Sequence, residues 1–554
     1  MSITKRSDLV LFPAKLSTLR SIAFQLQRWK HTSPGENEDL VPKQVEARSA
    51  QEAGLCNPSS WRTYDSRQVG INKSAISQPA WGIIRCLQRK GFEAYLVGGC
   101  VRDLLLKRVP KDFDIITTAT NKQIKKQFRR CIVVGRRFPI CQVHMVGSIT
   151  EVSSFHTAIK DVEEGREGFL CKALHTCSEK DIVRWKDSMR RDFTINGLFF
   201  DPVKSRVYDY VNGLKDLRSS KVTTVVSAHL SFSEDCARIL RGLRIAARLG
   251  FRFSQETAAA LKKLSSSVST LTKQRLLMEL DFMLAYGAAG RSIQLLKKYG
   301  LLEILLPFHA AYLDHQGKHN TDSTSTLFMK LFSSLDMLLS PDRPCNCTLW
   351  LGMLAFHIAL VRNPQEASVV WAFSSFLYFG TWSEAMEFVK QLDGNKKAVD
   401  FLPEIKALCE AKPMSENMLK EKMLNFALLV RSSVDVFLCE ESFQEYLTVF
   451  PEAPEYSGKV LISTKKRDEV AELFSNLNDN KRRDNYDIDY KLLKKGDPDE
   501  VRFVIGKVIM DTVSARIEDN VVKTQPLLKN KEKGMGSKNS NSSIRNLRLQ
   551  FLPT

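Results

Sequence analysis

The sequence predicts an α+β fold: a small mixed β-sheet head with helices, followed by a mostly α-helical C-terminal region. Three observations carry this. Short apolar runs alternate with helical patterns between residues 80 and 220. From about residue 230 the strand patterns stop, and "DCARILRGLRIAARLG", "QETAAALKKLSS" and "LTKQRLLMELDFMLAYG" follow with helical spacing. The longest apolar run, "LWLGMLAFHIALV" (349–361), contains His357 and is too short to span a membrane, so it reads as a buried helix.

The head builds up in order. "QPAWGIIRCLQRKG" (78–91) spaces Trp81, Ile84 and Leu87 on one helical face and ends at Gly91, a natural helix stop. "FEAYLVGG" is a short strand broken by Gly98-Gly99, and "CVRDLLLK" starts a helix. "KDFDIITTA" is a second strand, "NKQIKKQFRR" a helix and "CIVVG" a third strand. "QVHMVG" and "ITEVSSF" are two more strands with a Gly-Ser turn between them. "RSIQLLKKYGLLEILLP" extends the later helices, residues 36–75 read as polar loop, and no internal repeat is found.

The chain has 554 residues, enough for several domains, and its 43% hydrophobic content excludes wholesale disorder. A formal net charge of +20 favours a polyanionic partner. The excess is uneven. Residues 1–35 carry Lys5, Arg6, Lys15, Arg20, Arg28 and Lys30 against Asp8 alone. Residues 521–554 carry seven Lys or Arg against Glu532, with the low-complexity "MGSKNSNSS" inside them. The N-terminal stretch also spaces Leu16, Leu19, Ile22, Ala23 and Phe24 near helical period, the pattern of an organellar transit peptide rather than a plain basic tail. Twelve cysteines in a chain this long do not make a disulfide scaffold; Cys86, Cys100 and Cys236 sit in apolar runs and read as small buried hydrophobes. "CKALHTC", with Cys171, His175 and Cys177, lacks the paired spacing of a structural zinc site and reads as a loop.

The chemistry gathers around "KDFDIITTAT" (111–120). On a strand, Asp112 and Asp114 share one face, and two like charges so placed repel unless something repays them. Two carboxylates on one side can hold two Mg²⁺ ions beside a triphosphate, with a third carboxylate on a neighbouring strand; Glu151 is well placed for that. Upstream, Gly98 and Gly99 sit at a strand-to-helix turn that brings backbone N–H groups near a phosphate, and Arg102 lies on the first helical turn. No GKS or GKT follows, so this is not a P-loop. "YDIDY" (486–490) also holds two spaced aspartates, Asp487 and Asp489, but no glycine turn precedes it, and it reads as a solvated surface segment.

These residues, in this order, carry a resemblance. "AYLVGGCVRDLLLKRVPKDFDIIT" resembles the first motif of the class II nucleotidyltransferases, the bacterial-type poly(A) polymerases and CCA-adding tRNA enzymes. "RRDFTINGLFFD" (190–201) resembles their second motif, and "YDYVNGLKDL" (208–217) their flexible hinge. "SEDCARILRGLRIAARLGF" (233–251) is similar to the base-selecting helix, and "LTKQRLLMELDFML" to the next helical segment. The resemblance covers about residues 80–310; residues 320–554 match nothing recognisable.

It implies a nucleotidyltransferase head over 76–220 and a nucleotide-selecting, RNA-binding neck and body over 221–310. Around them come a transit peptide (1–35), a linker (36–75), a helical region of unassigned role (311–520) and a basic, disordered tail (521–554). By the resemblance, Asp112 and Asp114 bind the metals, Mg²⁺ with Mn²⁺ as the alternative, and Glu151 is the third carboxylate. Gly98, Gly99 and Arg102 cradle the triphosphate, and Arg190 and Arg191 add phosphate contacts. Asp192 and Asn196 contact the ribose side or organise the site, Asp192 alternatively joining the catalytic carboxylates. Asp235 and Arg238 present a base-pair-like edge to the incoming nucleotide, supported by Arg241 and Arg244.

Some positions depart from the family pattern: Ser154-Phe155-His156 stands for Thr-Phe-Arg, Cys236 and Ala237 replace more typical residues, and Ile245 replaces a phenylalanine. "VVGRRFPICQV" (133–143) resembles the corresponding segment of bacterial poly(A) polymerases, with Arg136 and Arg137 as RNA contacts. The expected reaction is therefore addition of AMP from ATP to RNA 3′ ends by a two-metal mechanism. CCA addition to tRNA, drawing on CTP as well, is the alternative. A catalytically inactive RNA-binding protein is the third reading, and the intact Asp112, Asp114, Glu151 and Asp192 speak against it. No membrane contact is expected, and the expected location is the mitochondrion, with chloroplast or dual targeting as alternatives.

Overall fold

The structure is a computed structural model. It describes residues 57–135, 139–156, 177–318, 323–340, 343–393, 401–406, 414–450, 462–475, 477, 483 and 485–524. The transit segment, Arg136 and Arg137, the tail beyond Thr524, and Cys171 and His175 of the Cys/His segment lie outside the described residues, and the first four residues of the expected tail end a helix.

The head is an eight-stranded mixed sheet. Its strands are β1 (Arg62–Asp65), β2 (Ala94–Val97), β3 (Asp114–Thr117), β4 (Cys131–Val134), β5 (Ile140–Met145), β6 (Ser148–Ser154), β7 (Phe199–Asp201) and β8 (Arg206–Asp209), in the order β1-β8-β7-β2-β3-β6-β5-β4. The helices are α1 (Gln78–Arg89), α2 (Gly99–Leu105), α3 (Asn121–Gln127), α4 (Glu179–Met189) and α5 (Gly213–Arg218).

Local chemistry sets these boundaries. The Ser77 side chain caps α1, and Gly91 past its end takes a positive φ of 84°. Thr120 and Gln123 form a reciprocal capping box at the start of α3. One face of the sheet packs Ile83, Ile84, Leu87, Ile115, Ile124, Val143 and Val152 into a core under α1 and α3. The other packs Tyr95, Val97, Ile116 and Phe199 against Trp185 and Met189 of α4.

Two expectations change here. The stretch read as polar linker contains β1, which pairs antiparallel with β8 and closes one sheet edge; its Arg-Thr-Tyr-Asp sequence carries little apolar signal. Trp81 is only half-buried, with Arg85 stacked over its ring at 5.0 Å, and Ala80 and Ile83 take its place in the core.

Beyond the head come α6 (Ala228–Glu234), α7 (Ala237–Leu249), α8 (Gln255–Leu264) and α9 (Lys273–Leu284), then helices up to Pro498–Thr524, sharing one continuous apolar core. The run at 349–361 lies within the helix Cys347–Arg362 and is buried as expected. His357 and His309 sit inside this core with ring centroids 5.3 Å apart, and burial pushes the His309 pKa down to about 3, so both are neutral there. Among the described residues no helix is long and apolar enough to cross a membrane. The cysteines of the described residues are free; Cys100 is buried as expected, whereas Cys86 and Cys236 are only half-buried. In "YDIDY", Tyr486, Ile488 and Tyr490 pack against the helical core while Asp487 and Asp489 face out, and Asp489 caps the helix Tyr490–Lys495.

Head and neck are joined where the second motif meets α7. A Cβ on Gly242 would lie 2.8 Å from the Phe193 ring, so a glycine there lets that ring lie against the helix. Phe193 directly follows Asp192, so the backbone that bears this carboxylate is held against α7.

Candidate active site

Asp114 opens β3, and its parallel partner in register on β6 is Glu151. Directly paired residues of a sheet point to the same side, so the two carboxylates share a face. Gln142 of β5 is the next partner in that row, and its amide reaches the Glu151 carboxylate at 3.4 Å. Asp112 does not lie on the strand with Asp114 as expected. It sits in a bend before β3 and is exposed, and its neighbour Lys111 anchors that bend to the neck by donating to the Tyr286 hydroxyl at 3.0 Å.

Gly98 follows β2 with φ 71° and ψ −137°, a conformation that L side chains rarely adopt. A Cβ there would meet an Arg191 Nη1 at 3.3 Å and the Asp114 Oδ2 at 3.7 Å. The glycine thus leaves open the space between one guanidinium and one carboxylate. Burial pushes the Asp114 carboxyl up to about 6, Glu151 and Asp112 push the same way, and Arg191 opposes them. Burial also works against the Arg191 charge, but Asp187, which accepts from it at 2.9 Å, and the nearby Asp192 and Asp114 hold that guanidinium above its ordinary value. Arg190 closes the end of α4, where its N–H donates to the Asp187 and Ser188 carbonyls.

A second set of groups forms a polar chain from head to neck. Arg102 is buried on α2 and is held by Asp103 through Nε and Nη2. Its Nη1 donates to the Asn196 side-chain oxygen at 2.8 Å, and the Asn196 amide donates to Asp192 Oδ1 at 3.0 Å. The other Asp192 oxygen accepts from Arg241 of α7 at 3.2 Å. Asp192 is itself buried and also accepts the Phe193 N–H at 2.7 Å. Arg102, expected as a phosphate contact, is therefore committed to Asp103 and Asn196, and Gly99 lies against its guanidinium.

On the neck, Asp235 stands between α6 and α7 with its side chain half in solvent and accepts the Ala237 N–H. Arg238 bonds Ser231 and pairs with Glu234 and, at 4.0 Å, with Asp235. Arg244, expected to support that edge, is paired with the buried Glu279 at 3.4 Å, which also binds Arg275 at 2.8 Å. A buried carboxylate needs such partners, so this is a structural commitment. In the hinge segment Asp209 collects the N–H groups of Val211, Gly213 and Leu214 and so shapes the turn into α5. The sequence reading left Asp103, Asp187 and Glu279 without roles; the adjacency of Asp103 to Arg102 was the one available signal, while Asp187 and Glu279 look like ordinary helix-face acids.

Among the described residues no three His, Cys, Asp or Glu groups close around a metal position. The donor set still suits a hard divalent cation: Asp114 and Glu151 share a face, and Asp112 is close enough that its charge, with that of Glu151, adds to burial in disfavouring the Asp114 carboxylate.

Residues 94–223 match the family model described as the poly A polymerase head domain, and residues 250–313 match that of the probable RNA and SrmB-binding site of polymerase A. Poly(A) polymerase I of Escherichia coli is 37% identical over 257 residues, 45% of this chain and 54% of that protein. A CCA-adding enzyme of Staphylococcus epidermidis is 31% identical over 293 residues, 52% of this chain and 64% of that one. The crystal structure of the Bacillus stearothermophilus CCA-adding enzyme in complex with CTP aligns at 20% identity and a TM-score of 0.38, covering 76% of this chain and 94% of that one. The head fold and its carboxylate-bearing strands define a nucleotidyltransferase domain. Over these matched residues the chain is similar to the class II nucleotidyltransferases, bacterial poly(A) polymerases and CCA-adding enzymes. It spans about half the length of the curated poly(A) polymerases it matches.

Proposed function

We propose that this chain is a template-independent RNA nucleotidyltransferase that transfers AMP from ATP to RNA 3′ ends, as a poly(A) polymerase does. The pairing of Asp114 with Glu151 beside the open Gly98 turn carries the reading. Asp112, Asp114 and Glu151 would hold Mg²⁺, or Mn²⁺ in its place. Bound there, the cation lowers the pKa of the attacking hydroxyl and neutralises charge on the triphosphate. The Gly98 turn leaves room for phosphate oxygens close to Arg191, whose charge is secured by Asp187. The chain Arg102–Asn196–Asp192–Arg241 sets the head against the neck, where Asp235 and Arg238 offer an acceptor and donors to a base edge. Catalysis on this plan is positioning and charge stabilisation.

Two observations favour AMP over CCA addition: "VVGRRFPICQV" and the higher identity to poly(A) polymerase I. The longer match to a CCA-adding enzyme keeps that reading as the alternative. Incubation of the purified protein with α-labelled ATP and RNA should label the RNA when Mg²⁺ is present and not when it is chelated. RNA binding without any labelling would point to the inactive reading.

Residues 1–35 are proposed to direct the chain to the mitochondrion, the chloroplast or both destinations being the alternatives. Fused to a fluorescent reporter, they should carry it into mitochondria, and their deletion should leave nucleotide addition unchanged. A fusion that stays diffuse in the cytosol refutes the targeting claim.

A further inference from the structure

Between Asp114 and Glu151 the sequence holds no aspartate or glutamate, yet it carries Lys122, Lys125, Lys126, Arg129, Arg130, Arg136 and Arg137. The first five are described and exposed, and none enters an ion pair among the described residues. Most surface cations of a folded protein have acids within reach, so a stretch of this length with one sign of charge produces a local positive field.

The topology says where that field lies. β3 is parallel to β6, β6 is antiparallel to β5, and β5 is antiparallel to β4, so β3 and β4 run the same way. Helix α3 between them must return the chain to the end of the sheet where β3 starts. Arg129 and Arg130, which follow α3 and directly precede β4, therefore stand at the same sheet end as Asp114. Lys122, Lys125 and Lys126 project from α3, which packs through Ile124 on the opposite face of the sheet, so they do not border the carboxylates.

The register ties this edge to the carboxylates. Asp114 pairs with Glu151, Glu151 with Gln142, and Gln142 with Ile132 of the edge strand β4. The four side chains form one row on one face, spanning about 14 Å at ~4.8 Å per strand. The reverse face is buried at Cys141, Val143 and Val152, but on this face Ile132 and Ile149 are 53% and 49% exposed. Val146 in the β5–β6 turn is 86% exposed. A sheet edge with apolar groups beside carboxylates, bordered by Arg129 and Arg130 that enter no ion pair among the described residues, suits a strand of nucleic acid, which offers phosphates to the cations and sugar and base faces to the apolar row.

We infer that the edge formed by β4, β5 and β6 is the track on which single-stranded RNA approaches the carboxylates: phosphates lie along Arg129 and Arg130, where the chain enters β4, and the terminal nucleosides lie on Ile132 and Ile149. This rests on the RNA-transferase reading and adds to it the path of the RNA. A protein strand adding to β4 is the rival occupant, and it is disfavoured because the stretch from 115 to 150 carries cations and no acid, which favours a polyanion.

The test is binding of a fluorescent unstructured oligoribonucleotide to the full chain, with no nucleotide present, across a salt series. The double variant Arg129→Ala/Arg130→Ala should bind about fivefold more weakly at ~0.1 M salt, and its log–log salt slope should fall by about 1.4, at ~0.7 per lost phosphate contact. Lys491→Ala/Lys494→Ala/Lys495→Ala, on an exposed helix of the C-terminal body, is the control and should change neither. In steady state Ile132→Asp should raise KM for RNA and leave KM for ATP unchanged. Unchanged RNA affinity in the double variant, or an equal loss in the control, overturns the track. Because binding is read without turnover, failure of the transferase reading shows separately, as wild-type protein that binds RNA on this edge but adds nothing.

Discussion

Asp114→Ala should abolish nucleotide addition, with a loss on the order of 10³-fold or more, while the protein remains folded and still binds RNA. Asp114 is the carboxylate at the convergence of the site: paired in register with Glu151, open towards Gly98 and facing Arg191. Asp112→Ala should give a loss of the same kind, because Asp112 lies close enough to Asp114 for the two charges to repel, as a shared cation would relieve. The pH dependence follows from the shift. The Asp114 pKa is raised to about 6 from an ordinary value of 3.8, so its folded form takes up a proton more readily than its unfolded form. Metal-dependent activity should rise as pH increases through 6, where the carboxylate ionises. Folding stability moves the other way, falling as pH rises from about 4 to about 6, because an ionised, half-buried carboxylate beside two others is unfavourable. Asp114→Asn should therefore stabilise the metal-free protein at neutral pH by on the order of 1–2 kcal/mol, while removing activity. Addition within tenfold of wild type, or a destabilised Asp114→Asn variant, would contradict the metal-site assignment.

Asp192→Ala should lower activity by on the order of 10²-fold and loosen the head–neck junction. Removing this carboxylate leaves the Asn196 amide and the Arg241 guanidinium without their shared acceptor, and Arg102 loses the neighbour that orients Asn196. A buried group stripped of its partner costs roughly 1–3 kcal/mol, with the higher end discounted here because the Arg241 side chain still reaches solvent. Asp192→Asn keeps one acceptor oxygen and the shape, so it should retain stability while its kcat falls; if it matches Asp192→Ala in both, the carboxylate charge matters more than the hydrogen-bonded chain. Near-normal kcat in Asp192→Ala would remove Asp192 from the machinery. These assays are read by single-turnover incorporation and by thermal unfolding of the same preparations.

The sequence exposed the parts of this fold whose signal is local. Glycines at the end of β2, the alternating strands around Glu151 and the apolar helix at 349–361 were legible because turn chemistry and hydrophobic period declare themselves within a few residues. β1 was not legible, since a polar four-residue strand gains its place from pairing with β8, far along the chain. The carboxylates were legible as a set, but their geometry was not. The D-x-D spacing placed Asp112 and Asp114 on one strand face, whereas β3 begins at Asp114 and the preceding bend carries Asp112. The arginines show the same limit most clearly. Arg102, Arg191 and Arg244 are alike as sequence, yet one is tied to Asn196, one faces Asp114 across Gly98, and one is tied to Glu279 on another helix. Which carboxylate claims which guanidinium is decided by tertiary contact, and no spacing rule reaches across the neck.

The central claim is that these carboxylates, with the nucleotide edge of Asp235 and Arg238, add AMP without a template. The most direct measurement is sequencing the products of the purified protein, supplied with ATP and CTP separately and together, on an unstructured RNA and on tRNA lacking its terminal CCA. The account predicts long runs of A on the unstructured RNA with ATP alone, little incorporation of CTP, and no arrest at a fixed length. Addition of C, C and A to the truncated tRNA followed by arrest, with the unstructured RNA left unextended, would contradict it and assign the protein to tRNA 3′-end completion.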